Sequence, residues 1–181
     1  MQKEISQAVR LSAAKVRVLV LDVDGVLTDG SLYLGDNGIE YKAFYSRDGH
    51  GIKLLMASGV QVAVITGRHS QVVADRMTAL GVTQIYQGDD RKGPIFDTLL
   101  ETLSLEPEQA AYVGDDLVDL PAMTRCGLSV AVADADARVL RAASFTTQCA
   151  GGRGAVREVC ELILDAQGNL DTALAPWLGV Q

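Results

Sequence analysis

Val18-Leu19-Val20-Leu21-Asp22-Val23-Asp24-Gly25-Val26-Leu27-Thr28-Asp29-Gly30 decides the architecture. A β-branched apolar run stops at two aspartates spaced i and i+2, then enters a glycine-containing turn. A run apolar at every position fits a strand buried on both faces, as in a parallel sheet. Asp22 and Asp24 then emerge at its carboxyl end, where open α/β sheets bind ligands. Two adjacent carboxylates repel, so the pair invites a cation or a shared proton.

Similar runs recur downstream. Residues 60–65 form a second one, closed by Thr66-Gly67-Arg68, and residues 82–86 a third. Residues 110–113 form a fourth, closed by Gly114-Asp115-Asp116, and residues 128–132 complete the series. Between the runs the apolar spacing changes to threes and fours. Ile52, Leu55 and Met56 mark a helix ending near Ser58-Gly59. Val72, Val73, Met77 and Leu80 mark another, capped by Ser70 and stopped by Gly81. Ile95, Leu99, Leu100 and Leu103 define a third, and a fourth runs from Asp116 through Met123. Val156, Val159, Cys160, Ile163 and Leu164 share one face of a fifth, while a weak stripe over Ile5, Ala8, Val9, Ser12 and Ala13 precedes the first strand. This alternation predicts an α/β fold, a doubly wound, Rossmann-like parallel sheet with right-handed crossovers.

One excursion interrupts it. Residues 31–34 and 39–44 flank Gly35-Asp36-Asn37-Gly38, and the Asn-Gly pair signals a projecting β-hairpin. Ile39, Tyr41, Ala43 and Tyr45 fall on one face of it, Glu40, Lys42 and Phe44 on the other. Gly151-Gly152-Arg153-Gly154 reads as the most flexible stretch, and the tail beyond Gly168 carries little pattern and reads as mobile.

No repeat, low-complexity run or linker divides the chain, so residues 1–181 read as one domain, long enough to bury a core without staples. A net charge of −7 argues against nonspecific binding to nucleic acid or an anionic membrane. No stretch reads as a bilayer span, and the first fifteen residues lack the apolar centre of a signal peptide. Cys126, Cys149 and Cys160 are odd in number and widely spaced, which suits reduced thiols in a cytoplasmic protein.

In a parallel sheet, Asp22 and Asp24, Thr66, Lys92 just before a helix, and Asp115, Asp116 and Asp119 converge on one edge. Singly, each aspartate reads as a turn or helix cap before it reads as a ligand. In this order, each at a strand terminus, they read together as a site. Five carboxylates exceed the negative charge a shared pocket tolerates unaided. A hard divalent cation with oxygen ligands resolves this, and Mg²⁺ suits a site that also takes phosphate. Lys92 and Thr66 offer the matching cation and hydroxyl for phosphoryl oxygens.

These residues resemble the haloacid dehalogenase superfamily of phosphatases. Asp22-Val23-Asp24-Gly25-Val26 matches its first motif, Thr66-Gly67 its second, Lys92 its third and Gly114-Asp115-Asp116-Leu117-Val118-Asp119 its fourth, in family order. The resemblance implies Asp22 as nucleophile, Asp24 as general acid and base, and Thr66 and Lys92 as holders of the phosphoryl group. It implies Mg²⁺ on Asp22, the Asp24 backbone carbonyl and Asp115, with Asp116 or Asp119 behind those ligands.

Members often carry a cap domain between the first and second motifs, or between the second and third. Here the first interval holds only a hairpin, a helix and a strand, and the second one helix and a short strand. An open strand edge needs a large substrate or a neighbouring subunit to exclude water. Lys42-Ala43-Phe44, Arg47-Asp48-Gly49, Thr66-Gly67-Arg68 and Gly151 to Glu158 narrow the resemblance to the capless, tetrameric 3-deoxy-D-manno-octulosonate 8-phosphate phosphatases. That implies hydrolysis of an eight-carbon sugar phosphate for lipopolysaccharide synthesis, by a homotetramer with the hairpin as its contact. Substrate contacts are implied at Asp24, Tyr45, Ser46, Arg47, Asp48, Gly49, Lys53, Gly67, Arg68, Arg76 and Lys92. Lys53 and Arg76 read equally as solvated helix faces. Arg153 reads as reaching a neighbouring site or as a surface charge, and His50 and His69 as rim residues rather than ligands. Three rivals stay open: the regulatory or partner domain of a larger sugar-activation enzyme, a phosphatase for a nine-carbon sialic-acid-type sugar phosphate or of broad specificity, and a phosphoacceptor signalling module. Against the signalling module, a receiver carries its acceptor Asp on a later strand than its acidic pair, whereas Asp22 and Asp24 share one.

Overall fold

The computed structural model describes residues 5–179. The Ser6 hydroxyl accepts the Val9 N–H and starts α1 (Gln7–Lys15), which buries Val9 and Ala13. β1 (Val18–Leu21) follows with all four residues buried. Next come the hairpin strands β2 (Tyr33–Leu34) and β3 (Glu40–Tyr41), then α2 (Ser46–Ala57), β4 (Gln61–Thr66), α3 (Gln71–Leu80), β5 (Gln84–Gln87) and α4 (Lys92–Leu103). The chain continues through β6 (Ala110–Gly114), α5 (Leu120–Met123), β7 (Leu128–Ala131), α6 (Ala137–Ala142), β8 (Phe145–Thr146), α7 (Ala155–Ala166) and α8 (Leu170–Leu178).

The main sheet runs β5-β4-β1-β6-β7-β8, every pairing parallel. β1 sits between β4 and β6, so the chain winds out one way and returns the other. The crevice at its carboxyl end is the switch point of the sheet. Leu21 lies opposite both Val64 and Val113, which brings Asp22, Thr66 and Asp115 out at one edge. Val18, Leu19, Val20 and Leu21 are fully sealed, each contributing about 1.5–3 kcal/mol on burial. α7 packs against α1, α2 and α8, while α4 packs on β4 and α5. No helix among the described residues is long and apolar enough to cross a membrane.

The structure departs from the sequence reading in particular places. The hairpin strands are only two residues each, joined through a 3-10 turn over Asp36–Gly38. The strand at residues 128–132 does not end the series, because Phe145 and Thr146 pair with Val130 and Ala131 as a sixth strand, after the unforeseen α6. Ser70 does not cap α3; its hydroxyl donates to Glu40 Oε2 at 2.6 Å. A 3-10 turn, Leu117–Asp119, precedes α5. The glycine stretch is not loose: Gly151 and Gly152 are buried, their N–H groups donating to Asp134 Oδ1 and Val26 O. The pattern-poor tail forms α8, where Trp177 meets the His50 ring edge-on at 4.8 Å.

Candidate active site

β1 delivers Asp22, whose N–H donates to Val113 O at 3.1 Å and so extends the strand ladder by one residue. The chain then tightens into a single turn. The N–H groups of Val26, Leu27 and Thr28 all point at Val23 O, at 3.3, 2.9 and 3.0 Å. The buried Thr28 hydroxyl donates to the same carbonyl and accepts the N–H groups of Gly25 and Gly30. This turn holds Asp24 two residues beyond Asp22, at the mouth of the crevice.

Behind Asp22 lies a buried charged cluster. Lys92, the first residue of α4 and 1% exposed, places Nζ 2.8 Å from Asp22 Oδ1 and 2.7 Å from Asp119 Oδ1. The Tyr112 hydroxyl donates to Asp119 Oδ1 at 2.9 Å, and Asp119 Oδ2 accepts the N–H groups of Asp115 and Asp116. Every acceptor direction of Asp119 is thereby engaged. Burial raises the Asp22 carboxyl to about 7, the Asp119 charge adding to it and Lys92 opposing. Burial, then Asp22 and Asp119, raise Asp115 to about 8. Lys92 keeps its proton: burial works against it, but the charges of Asp22 and Asp119 raise its pKa.

Asp22, Asp115 and Asp119 each offer an oxygen within 4.8 Å of the others. Asp119 is already satisfied, so the oxygens suited to a cation are those of Asp22 and Asp115. Asp115 Oδ1 is a buried acceptor without a hydrogen-bond donor among the described residues. A buried carboxylate oxygen left unpartnered costs stability unless an ion or water completes it. An all-oxygen set with an orphaned acceptor fits a hard dication such as Mg²⁺.

The raised pair has a measurable consequence. The unfolded chain holds these carboxyls at 3.8, whereas the folded protein keeps their protons up to about 7 and 8. Between those limits the folded state binds more protons, so its stability rises as pH falls. In EDTA the melting temperature is expected to climb from about pH 8 to about pH 5, and Mg²⁺, which selects the ionised carboxylates, to reverse that slope. Thermal unfolding followed by circular dichroism checks this; a melting temperature falling with acid throughout that window in EDTA contradicts it.

Asp24 faces a second network. Its carboxylate pairs with Lys42 Nζ and lies 3.7 Å from Arg68 Nε. Lys42, 1% exposed in its side chain, and Arg68 both reach Glu40 Oε1, at 3.4 and 3.1 Å, while Ser70 donates to Glu40 Oε2. The Ser70 hydrogen bond, with Arg68 and Lys42, holds Glu40 below the usual carboxylate range. The hairpin is thus latched to the loop after β4. Glu40 and Lys42 were absent from the expected site. The signal for them was their shared polar face on the hairpin, opposite Ile39, Tyr41 and Ala43.

The catalytic quartet expected from the sequence, Asp22, Asp24, Thr66 and Lys92, converges with Asp115, and Gly67 and Arg68 sit beside it. Of Asp116 and Asp119, Asp119 is the one turned inward, whereas Asp116 is exposed and its carboxylate accepts the Leu117 N–H at 2.7 Å. Asp48, expected at the sugar, is 1% exposed, and its carboxylate accepts the N–H groups of Gly154 and Arg157 at 3.3 and 2.8 Å. Gly49 is buried against the Arg76 guanidinium, which also lies over the Phe44 ring. Ser46 and Lys53 are exposed on α2. Exposed Arg47 stacks on Tyr45, and both line a cleft of about 990 Å³ with Cys149, Arg153 and Arg157, which Asp22 and Asp24 do not line.

A family model described as haloacid dehalogenase-like hydrolase matches residues 81–159. The 3-deoxy-D-manno-octulosonate 8-phosphate phosphatase KdsC of Escherichia coli K12 is 54% identical over 169 residues, 93% of this chain and 90% of that one. The crystal structure of the corresponding Yersinia pestis phosphatase has a TM-score of 0.90 at 52% identity, covering 91% of this chain and 89% of that one. The Moraxella catarrhalis enzyme, solved with a magnesium ion, a phosphate ion and KDO, has a TM-score of 0.92 at 40% identity, covering 93% and 97%.

Proposed function

Because the chain belongs to the 3-deoxy-D-manno-octulosonate 8-phosphate phosphatases of the haloacid dehalogenase class, we propose that its residues 1–181 act as one domain that frees KDO for lipopolysaccharide synthesis. It is a Mg²⁺-dependent phosphoric monoester hydrolase acting on KDO 8-phosphate. The observation that carries the residue assignment is Asp22, held at the switch point by Lys92 on Oδ1.

Asp22 Oδ2 attacks phosphorus while the bond from phosphorus to the sugar oxygen breaks, leaving an aspartyl-phosphate. Asp24 gives its proton to the departing alkoxide, so KDO leaves neutral at that hydroxyl. Asp24 then takes a proton from water as that water attacks the same phosphorus, and phosphate departs with Asp22 restored. Lys92 offsets charge on the phosphoryl oxygens, and the Thr66 hydroxyl donates to one of them. Mg²⁺, held by Asp22, the Asp24 carbonyl and Asp115, would supply the remaining positive charge against which the phosphoryl group is drawn. Arg68, beside Thr66, is our assignment for the sugar carboxylate, which a guanidinium can bind bidentately. Tyr45, Ser46, Arg47, Lys53 and Arg76 are the further candidates on the α2 and α3 side.

The assembly is read as a cytoplasmic homotetramer. Leu32, Tyr33, Leu34, Ile39 and Tyr41 are 48–69% exposed on one small hairpin, an apolar patch of the kind that marks a protein interface. A neighbouring chain seated there would also shelter the open strand edge. One experiment covers substrate, metal and assembly: fractions from a sizing column with light scattering are assayed against KDO 8-phosphate and a nine-carbon sugar phosphate. Activity is expected to elute at the mass of four chains, to prefer the eight-carbon substrate, and to vanish in EDTA until Mg²⁺ returns. Equal kcat/KM for both sugars would overturn the substrate assignment, a fully active monomer the assembly, and EDTA-resistant turnover the chemistry.

A further inference from the structure

We propose that the Gly151–Gly154 loop positions the metal-binding carboxylates from behind, acting through Gly25, and that Asp48 anchors this loop as a positioning residue. The inference rests on the aspartate site proposed above.

Gly25 is sandwiched. On one side a side chain at Gly25 would overlap the Asp115 carboxylate, and its φ of +97° also favours glycine. On the other side, a methyl at Gly151 would overlap the carbonyl oxygen of Gly25 and come within 2.6 Å of its carbon. Backbone cannot swing aside as a flexible side chain can, so a Cβ at Gly151 displaces Gly25, which itself lies against the Asp115 carboxylate. Gly152 makes the same close approach one step along. A Cβ there would sit 2.5 Å from Thr28 C and 2.6 Å from Asp29 N, and its N–H donates to Val26 O at 2.8 Å. The loop therefore backs the turn that follows Asp24, the residue whose carbonyl is assigned to the metal.

Three ties hold the loop itself. The Gly151 N–H donates to Asp134 Oδ1 at 2.9 Å, and two residues on, the Asp136 N–H donates to Asp115 O at 2.8 Å. One short segment after β7 therefore fixes both the glycine loop and the backbone of Asp115. Arg153 reaches Asp29 Oδ2 at 3.2 Å. Asp48, buried on α2, takes the N–H groups of Gly154 and Arg157 and fixes the start of α7 just where the loop enters it. This accounts for the Asp48 carboxylate facing α7 and not the substrate edge.

The test is Mn²⁺ binding to the full chain, followed by the paramagnetic resonance of free Mn²⁺, together with the Mg²⁺ concentration giving half-maximal activity. Gly151→Ala is expected to weaken Mn²⁺ binding about tenfold or more, the scale on which displaced supporting groups cost metal affinity, and to move the Mg²⁺ midpoint by the same factor. A reversible fall in the folded fraction raises both midpoints only by the reciprocal of that fraction, less than twofold in a chain that circular dichroism shows to be more than half folded. If Gly151→Ala does not fold, Asp48→Asn decides, with a smaller shift of the same sign. Native midpoints in the folded variants overturn the inference. A native chain that binds no Mn²⁺ overturns instead the aspartate site on which it rests.

Discussion

Asp22→Asn is expected to lower turnover by about four orders of magnitude or more, the cost of removing a nucleophile from a preorganised site. Its amide presents no nucleophilic oxygen anion to phosphorus, so no phosphoryl-enzyme forms. Asn Oδ1 can still accept from Lys92 in place of Asp22 Oδ1, so the cluster keeps its geometry. Stability is expected to move the other way. Burial and the Asp119 charge raise Asp22 to about 7, so above neutral pH the folded protein carries an ionised Asp22 at a cost in stability. A neutral, isosteric side chain relieves that penalty. Initial rates and thermal unfolding in EDTA near pH 8 read both effects, and activity lost at equal or higher melting temperature separates chemistry from folding. Turnover near the native rate would remove Asp22 from the reaction.

Much of this site, and of the sheet that carries it, is legible in the order of the residues. The sheet reads out because each buried strand is apolar at successive positions and then stops at a polar residue, so strand and site announce each other at Leu21-Asp22 and Val113-Gly114-Asp115. Alternation on the hairpin is equally plain. The missed elements have too little pattern to read. β8 is two residues whose strand state comes from pairing with Val130 and Ala131. α8 buries no residue, and so has no apolar stripe sealed in the core to betray it.

The surroundings of other site residues were hidden for another reason. Asp116 and Asp119 are neighbours in one turn, and sequence spacing cannot say which turns inward. The structure turns Asp119 in because Lys92 and Tyr112, from α4 and β6, meet it there. Asp48 stands in the first turn of its own helix, where a carboxylate commonly caps or contacts ligand, yet it caps another helix 106 residues away. Long-range partners of this kind exist only once the fold has formed.

Lys92→Met should produce the largest combined loss. The ammonium lies between two carboxylates with 2% of its side chain exposed, and its removal leaves Asp22 and Asp119 facing each other without a cation. Breaking a buried pair in this way costs about 3–5 kcal/mol. Turnover should fall about 10²–10³-fold, since charge on the transferring phosphoryl group loses a fixed partner. The same loss acts on the nucleophile, because Lys92 is the chief influence holding Asp22 down against burial. Without it, Asp22 carries its proton further above neutrality. The stability cost should be largely rescued by combining the change with Asp22→Asn. That combination leaves one buried carboxylate, Asp119, which still accepts from the Tyr112 hydroxyl and the N–H groups of Asp115 and Asp116. Urea unfolding of the two single variants and the double variant measures this, and the coupling is expected to be strongly non-additive. Additive losses would mean that Lys92 stabilises the fold through its packing rather than by neutralising Asp22. The rescue, in turn, would show that one buried lysine lets two carboxylates share this strand edge, at a stability cost that the nucleophile makes necessary.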